Sequence, residues 1–343
     1  MRAVVYSETG PPSVLRLVER QVPEPGPGQV RVRVVRSGVN PTDWKVRQGA
    51  TGGGVPAFPE MVPNQDGAGV VDAVGAGVER FAVGDRVWVM LAAHQRPTGT
   101  AQELTVLPQE RVVALPEAAG FDLGAALGVP AVTAHRALTT SEDGPDRLSP
   151  GSLTGTTVLV AGGAGAVGNA AIQLAGWAGA RVLTTISSPE KAALATAAGA
   201  HDTVDYTDTD PAARIRELAP DGVDLVVEVA PATNLPLDLA VVRPRASIAI
   251  YANNGGDQVT LNVRETFSLN VRLQFVFLYS VGDRALRAAA EDVTAAVRDG
   301  GFGIGEERGV PLHHFPLDRT ADAHQAVEDG AVGKVLIDVA DEG

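Results

Sequence analysis

The chain has 343 residues, 45% of them hydrophobic and 20% charged, an ordinary globular composition that is long enough for two cores rather than one. Its 41 acidic residues outweigh 28 basic ones, and the net charge of −13 opposes binding to nucleic acid or to an anionic membrane surface. Cysteine is absent, which excludes disulfides, thiolate nucleophiles and every cysteine-ligated zinc site.

The opening residues Met1 to Glu8 carry no long apolar core, so the sequence is read without a signal peptide. The first third reads as short strands joined by turns. Val30-Arg31-Val32-Arg33-Val34 alternates as a half-buried strand does, behind a proline- and glycine-rich loop at 23–28. Further strands are predicted around Gly69-Val70-Val71 and Arg86-Val87-Trp88-Val89. Residues 123–138 have a helical, alanine-rich pattern, and a polar connection follows to about Thr157. Residues 149–180 hold no charge. Their glycines, with Asn169 and Gln173, fit a βα unit better than a membrane span.

From Val158 the pattern changes. Strands at 158–161, 181–186, 203–205, 223–229 and 246–251 alternate with helices at 166–178, 189–198, 210–219 and 233–241. That alternation predicts a doubly wound parallel sheet with crossover helices. A helix at 283–299 and a strand at 333–339 complete the chain.

The strongest motif is Gly163-x-Gly165-x-x-Gly168, between a strand and a helix. Gly163 is expected to make the turn off the strand, Gly165 to admit a pyrophosphate, and Gly168 to pack the helix on the strand. The helix N-terminus, from Gly165 through Ala166 and Val167, supplies free N–H groups and a positive dipole. The spacing is weak evidence alone in a chain with 39 glycines, but the strand before it and the helix after it meet the context test.

Several further segments carry a family resemblance. Ser37 to Gly49 contains Gly38-Val39-Asn40-Pro41-Thr42-Asp43, Pro63 to Val71 contains Asp66-Gly67-Ala68-Gly69, and Gly84-Asp85-Arg86-Val87 follows. Gly128 to Leu138 and Gly333-Lys334-Val335 complete the set. In order and spacing the chain resembles the medium-chain dehydrogenase/reductase superfamily, and within it the zinc-free, zeta-crystallin-like quinone oxidoreductases. The resemblance implies an α/β architecture of two domains. A discontinuous, mainly antiparallel GroES-like catalytic domain would take residues 1–122 and 269–343, and a Rossmann domain residues 123–268. Nicotinamide and substrate would share the cleft between them.

Metal-using relatives place zinc ligands near Asn40 and at Gln65, and neither residue here is one. No metal site is therefore expected. His313-His314, the one adjacent histidine pair, is expected at the surface. NADPH is the expected cofactor, because no carboxylate ends the strand 181–186. Ser187 and Lys191 stand there instead, and the resemblance adds Tyr206. It also implies cofactor contacts from Asn40, Thr133, Gly163, Ala164, Gly165, Ala166, Val167, Val229, Tyr251, Phe275, Val276, Phe277 and Lys334. Asn40, Asp43 and Lys45 are the catalytic candidates, with Asp43 and Lys45 expected to form a charged pair, or else a salt bridge that only shapes the loop. Relatives often carry Tyr at the position of Lys45.

The aromatic residues favour a flat conjugated acceptor. The expected activity is NADPH-dependent reduction of a quinone. The alternatives are reduction of an α,β-unsaturated carbonyl such as a 2-alkenal, and a non-enzymatic NADPH-binding protein. A cytoplasmic homodimer, paired through edge strands near 259–263 or 271–277, is the expected state. Arg245-Ala246 replaces a Gly-Gly common in the family, and the 139–157 connection is longer than usual. Sequence offers no functional reading of either.

Overall fold

The computed structural model describes residues 1–50 and 53–341. In chain order the first elements are β1 (Arg2–Val5), β2 (Arg16–Glu19), β3 (Gln29–Val39), α1 (Pro41–Arg47), β4 (Asp66–Val74), β5 (Arg86–Val89), β6 (Leu104–Pro108), β7 (Val112–Ala114) and α2 (Phe121–Leu138). There follow β8 (Thr157–Ala161), α3 (Ala166–Trp177), β9 (Arg181–Ile186), α4 (Pro189–Ala197), β10 (Asp202–Asp205), α5 (Pro211–Leu218), β11 (Val223–Glu228), α6 (Pro231–Val241) and β12 (Val242–Ile250). The last are α7 (Val263–Ser268), β13 (Arg272–Phe275), α8 (Asp283–Arg298), β14 (Leu312–Pro316), α9 (Thr320–Glu328) and β15 (Lys334–Asp338).

The chain divides into two compact units, Met1–Val129 with Pro311–Gly343, and Pro130–Val310. The first is built on a mainly antiparallel sheet in the order β14-β15-β3-β4-β5-β7, with β6 also pairing with β3. The long strand β3 is its spine. Val30, Val32 and Val34 point inward, as the alternation predicts, while Arg31 and Arg33 are only half-buried. A register shift between Val34 and Arg36 breaks the alternation, so Val34 and Val35 are both buried.

The second unit has a fully parallel sheet in the order β10-β9-β8-β11-β12-β13. Numbered from β8, this is the order 3-2-1-4-5-6 of a dinucleotide-binding sheet. Its strands are apolar on both faces, as helices covering both sides require. Leu159, Leu183, Val226 and Ile248 are buried in one core.

Two boundaries differ from the sequence expectation. Residues 123–129 belong with the first unit, because the N–H of Val129 donates to Asp66 Oδ1 at 2.8 Å. Gly128 packs so close that a Cβ there would lie 2.1 Å from the same oxygen. Residues 269–310, expected in the catalytic domain, belong to the parallel unit. β13 extends its sheet by pairing Ser247 to Ile250 of β12 with Arg272 to Phe275. α8 buries Leu286, Ala289, Ala290, Val293 and Ala296. The polar residues of α3 then hold the segment that follows. Gln173 exchanges two hydrogen bonds of 2.9 Å with the backbone of Gly303, and Asn169 Nδ2 donates to the Arg308 carbonyl at 2.8 Å.

Among the described residues, no helix is long and apolar enough to cross a membrane.

Candidate active site

In the parallel unit the nucleotide loop follows β8. The positive φ that turns the chain falls on Gly162, at 69°, and not on Gly163 as the motif suggests. Gly163 has a packing role instead. A Cβ there would meet Thr184 Oγ1 at 2.2 Å and Ile172 Cδ1 at 2.8 Å. Gly168 lies against the carbonyl of Gly162, which a Cβ would approach to 2.4 Å, so α3 seats directly on the loop. Gly165 differs from both. It is exposed, and a Cβ would touch only the Gly162 oxygen, at 3.4 Å.

Gly165 is the N-cap of α3, and among the described residues no side chain caps that helix. The first N–H groups of α3, from Ala166 and Val167, are thus not claimed by a capping side chain, at the end where the dipole is positive. Ala164 is buried beneath the loop. An open glycine, uncapped donors and no competing side chain fit the pyrophosphate of a dinucleotide.

β9 ends at Ile186, and Ser187 and Ser188 follow. Lys191 Nζ donates to Ser187 Oγ at 2.9 Å, and Ser188 Oγ caps α4 by accepting from the Lys191 N–H. Tyr206 is brought beside them because its N–H bonds the Ile186 carbonyl at 3.0 Å, and its side chain is 48% exposed. The neighbouring carboxylate, Asp205, is occupied by the N–H and hydroxyl of Thr207, which hold it below the usual carboxylate range. Ser187, Lys191 and Tyr206 therefore share one end of the sheet, with a cation beside Ser187 and with Asp205 held by Thr207.

Val229, Tyr251, Phe275, Val276 and Phe277 also gather at the carboxyl ends of the parallel strands, where such sheets bind ligands. Val229 follows β11, Tyr251 follows β12, and Phe275-Val276-Phe277 close β13. The Val276 N–H bonds the Ile250 carbonyl at 2.7 Å, which buries Val276 and leaves Phe275 and Phe277 67% and 60% exposed. Thr133 is buried on the second half of α2. Sequence reasoning missed a carboxyl pair at this end. Glu228 accepts from the Ala230 N–H and from Asn234, and Asp238 is buried near it. Burial and the Glu228 charge push Asp238 well above the carboxylate range.

In the antiparallel unit, Asn40 precedes α1 and Pro41 opens it. The fixed φ of proline suits the first helical position, and Asp43 reaches back to the helix start. Asp43 Oδ2 accepts from the Asn40 N–H at 2.8 Å, and Oδ1 accepts from the Gln65 N–H at 3.1 Å. Both oxygens are thus committed to backbone. The expected charged pair between Asp43 and Lys45 is not formed. Lys45 instead lies over the Trp44 ring, 5.8 Å from its centroid.

The charged partner is Lys334, from β15. Its Nζ donates to Asn40 Oδ1 at 2.8 Å and stands 3.5 Å from Asp66 Oδ2, while Asn40 Nδ2 donates to Asp66 Oδ2 at 2.7 Å. Asn40, Asp43, Asp66 and Lys334 are all at least 97% buried. Burial, then the charge of Asp66, pushes Asp43 up to about 8. Burial lowers the Lys334 ammonium, against the two carboxylates that raise it. Asp66 was not singled out in the sequence, although it lies within the Pro63–Val71 segment. Its strand position gave no sign that an ammonium 268 residues on would meet it.

Gln65 Oε1 accepts from the Ala93 N–H at 3.2 Å. Among the described residues no three His, Asp or Glu side chains are placed to hold a metal ion. His313 and His314 are exposed, with His313 Nε2 bonded to the Val332 carbonyl and His314 Nδ1 bonded to Asp338.

Residues 26–117 match the alcohol dehydrogenase GroES-like domain family and residues 166–295 the zinc-binding dehydrogenase family. The chain is 32% identical to quinone oxidoreductase of Rattus norvegicus, over 98% of this chain and 97% of that one. It is 33% identical to 2-haloacrylate reductase of a Burkholderia species, over 79% and 78% of the two chains. Among solved structures it is similar to an NAD-dependent alcohol dehydrogenase, at TM-score 0.86 and 31% identity over 99% and 100% of the chains. It is also similar to a mycobacterial protein complexed with NADPH, at TM-score 0.81 and 29% identity over 98% and 99%. The full-length match, the two family domains and the GroES-like and Rossmann sheets agree: the chain belongs to the medium-chain dehydrogenase/reductase superfamily, in its quinone oxidoreductase branch, and is a nicotinamide-dependent oxidoreductase acting on a small molecule.

Proposed function

We propose that the protein is an NADPH-dependent, zinc-independent reductase of quinones. The observation that carries the cofactor choice is the 2.9 Å bond from Lys191 Nζ to Ser187 Oγ at the end of β9, where an NAD-specific sheet would place a carboxylate. NADPH, when bound, supplies the hydride. The N–H groups of Ala166 and Val167 hold its pyrophosphate beside the open face of Gly165, and Ser187, Lys191 and Tyr206 hold the 2′-phosphate. The relatives' names, NAD in one and NADPH in another, leave this choice to these residues. Lys191→Ala is expected to raise the KM for NADPH and leave that for NADH nearly unchanged. An equal effect on both would remove the assignment.

A quinone is supported by the full-length relative of that name and by the exposed rings of Phe275 and Phe277, which offer flat apolar surface. A second reading, hydride transfer to the β-carbon of an α,β-unsaturated acid or carbonyl, is favoured by the likeness to 2-haloacrylate reductase. Turnover with 9,10-phenanthrenequinone and 1,4-benzoquinone against 2-alkenals and 2-chloroacrylate separates the two. Of the catalytic candidates, Asn40 keeps its role in this reading, its amide fixed by Lys334 and Asp66. Asp43 positions the start of α1.

Among the described residues the outer edge of β13 carries no partner strand, and Val259, Val263 and Phe267 are exposed. We infer a homodimer through this edge. Light scattering at the monomer mass would exclude it.

A further inference from the structure

The parallel unit contains a cavity of about 510 Å³ away from the nucleotide loop, within the size range of small-ligand sites. It lies among the C-terminal part of α2, the long 139–157 connection and α8. Four arginines line it: Arg136, Arg147, Arg284 and Arg287. The carboxylates on its wall are Asp146 and Glu291. A basic cavity in a chain of net charge −13 is an exception to the molecule's own field.

The arginines are not equivalent. Arg147 is spent on structure. Its Nε bonds both oxygens of Asp292, at 2.9 and 3.0 Å, and Nη2 bonds Glu291 at 2.9 Å. This fork docks the connection onto α8, and the Leu148 N–H adds a 2.8 Å bond to Asp292. Asp292 is thereby saturated, since His135 Nε2 also bonds it at 2.8 Å. Arg136 Nη1 donates to the Thr139 carbonyl.

Arg284 and Arg287 are exposed, and neither has a hydrogen bond or ion pair among the described residues. They stand three residues apart on one face of α8, where like charges repel. Both lie in the first two turns of a 16-residue helix, whose positive end adds to the same field. One buried group on the cavity wall is also unmatched. His135 is 2% exposed, and among the described residues its Nδ1 has no hydrogen-bond partner.

We propose that this cavity binds a small phosphate-bearing polyanion, held by Arg284 and Arg287 with Arg136 beside them. Guanidinium groups recognise phosphate oxygens in pairs, and two unpaired ones on a fixed helix face are pre-organised for it. The cavity volume suits a di- or triphosphate group rather than a nucleic-acid strand. Arg147 then sets the far wall and explains the long connection, which brings Asp146, Arg147 and Leu148 to α8.

The test is calorimetric titration of the full chain with tripolyphosphate at low salt, with saturating NADP⁺ so that the nucleotide loop is filled. Saturable binding of one anion per chain is expected. Arg284→Glu with Arg287→Glu should weaken it about tenfold or more, with the KM for NADPH unchanged and the thermal midpoint not lowered, because neither side chain has a partner to lose and acidic residues suit the positive end of α8. ATP run in parallel identifies the source. Tighter binding than tripolyphosphate points to a nucleotide, and equal binding to phosphate alone. No saturable binding under NADP⁺, unchanged affinity in the double variant, or binding of poly-glutamate in place of tripolyphosphate would each overturn the proposal.

Discussion

Lys334 Nζ donates to Asn40 Oδ1 at 2.8 Å, so an ammonium near the end of the chain fixes the amide of the foremost catalytic candidate. The same ammonium balances Asp66, which is fully buried. Lys334→Met leaves that carboxylate without its cation, at a cost of about 3–5 kcal/mol, as when one partner of a buried pair is removed. Urea unfolding measures it. Adding Asp66→Asn should restore part of the loss, because the stranded charge is gone. A double variant no more stable than the single one would mean that Lys334 acts by packing alone.

Asp43 and Lys45 are expected to behave independently. Asp43→Asn offers one acceptor oxygen where two backbone N–H groups need one each, and should cost about 1–3 kcal/mol. Lys45→Met loses only the contact with Trp44, about 0.5–1 kcal/mol. In a double-mutant cycle the coupling should stay below about 0.5 kcal/mol. Larger coupling would restore the direct pair that the backbone bonds of Asp43 argue against.

The loop glycines should separate folding from binding. Gly163→Ala drives a methyl into Thr184 Oγ1, which cannot swing aside without leaving the Val160 carbonyl it bonds at 2.7 Å. A loss of about 1–3 kcal/mol is expected from overpacking. Gly165→Val should fold with a near-normal thermal midpoint and lose NADPH binding, because its side chain enters the space a pyrophosphate needs. Normal NADPH affinity in folded Gly165→Val would displace the cofactor from this loop.

His324 should make the fold acid-labile. Burial, with the Arg47 cation nearby, pushes its imidazole down to about 3, whereas in the unfolded chain it titrates near 6.5. Between these values the unfolded state binds a proton that the folded state does not. Stability is therefore full above about 6.5 and falls toward 3, by up to about 1.4 kcal/mol per pH unit. Asp43, raised to about 8, acts in the opposite sense and loses its contribution as pH climbs through that value. His324→Gln keeps a donor for Asn64 Oδ1, which His324 Nε2 meets at 2.9 Å, and removes the titration. Its thermal midpoint should vary less steeply between pH 6.5 and 4 than that of the unaltered protein. Parallel curves would assign the lability to other groups.

Sequence alone determined what is local or periodic. The alternation in Val30–Val34, the βα rhythm from Val158 onward and the glycine spacing at 163–168 each write a backbone conformation into neighbouring residues. The elements they predict stand within a few residues of where the structure has them. Even the missing carboxylate after β9 was legible, because a strand end and the residues after it are contiguous. Tertiary structure alone decided what depends on long-range pairing. Nothing near Lys45 shows that Asp43 is already claimed by two backbone N–H groups, one of them from Gln65. Nothing near Asn40 shows that Lys334 will reach it from β15. Residues 269–310 went to the parallel unit for the same reason. A strand joins whichever edge offers hydrogen bonds, and β12 offered one to β13. Burial charges, ion pairs and strand partners are properties of the folded neighbourhood, and a sequence window does not contain them.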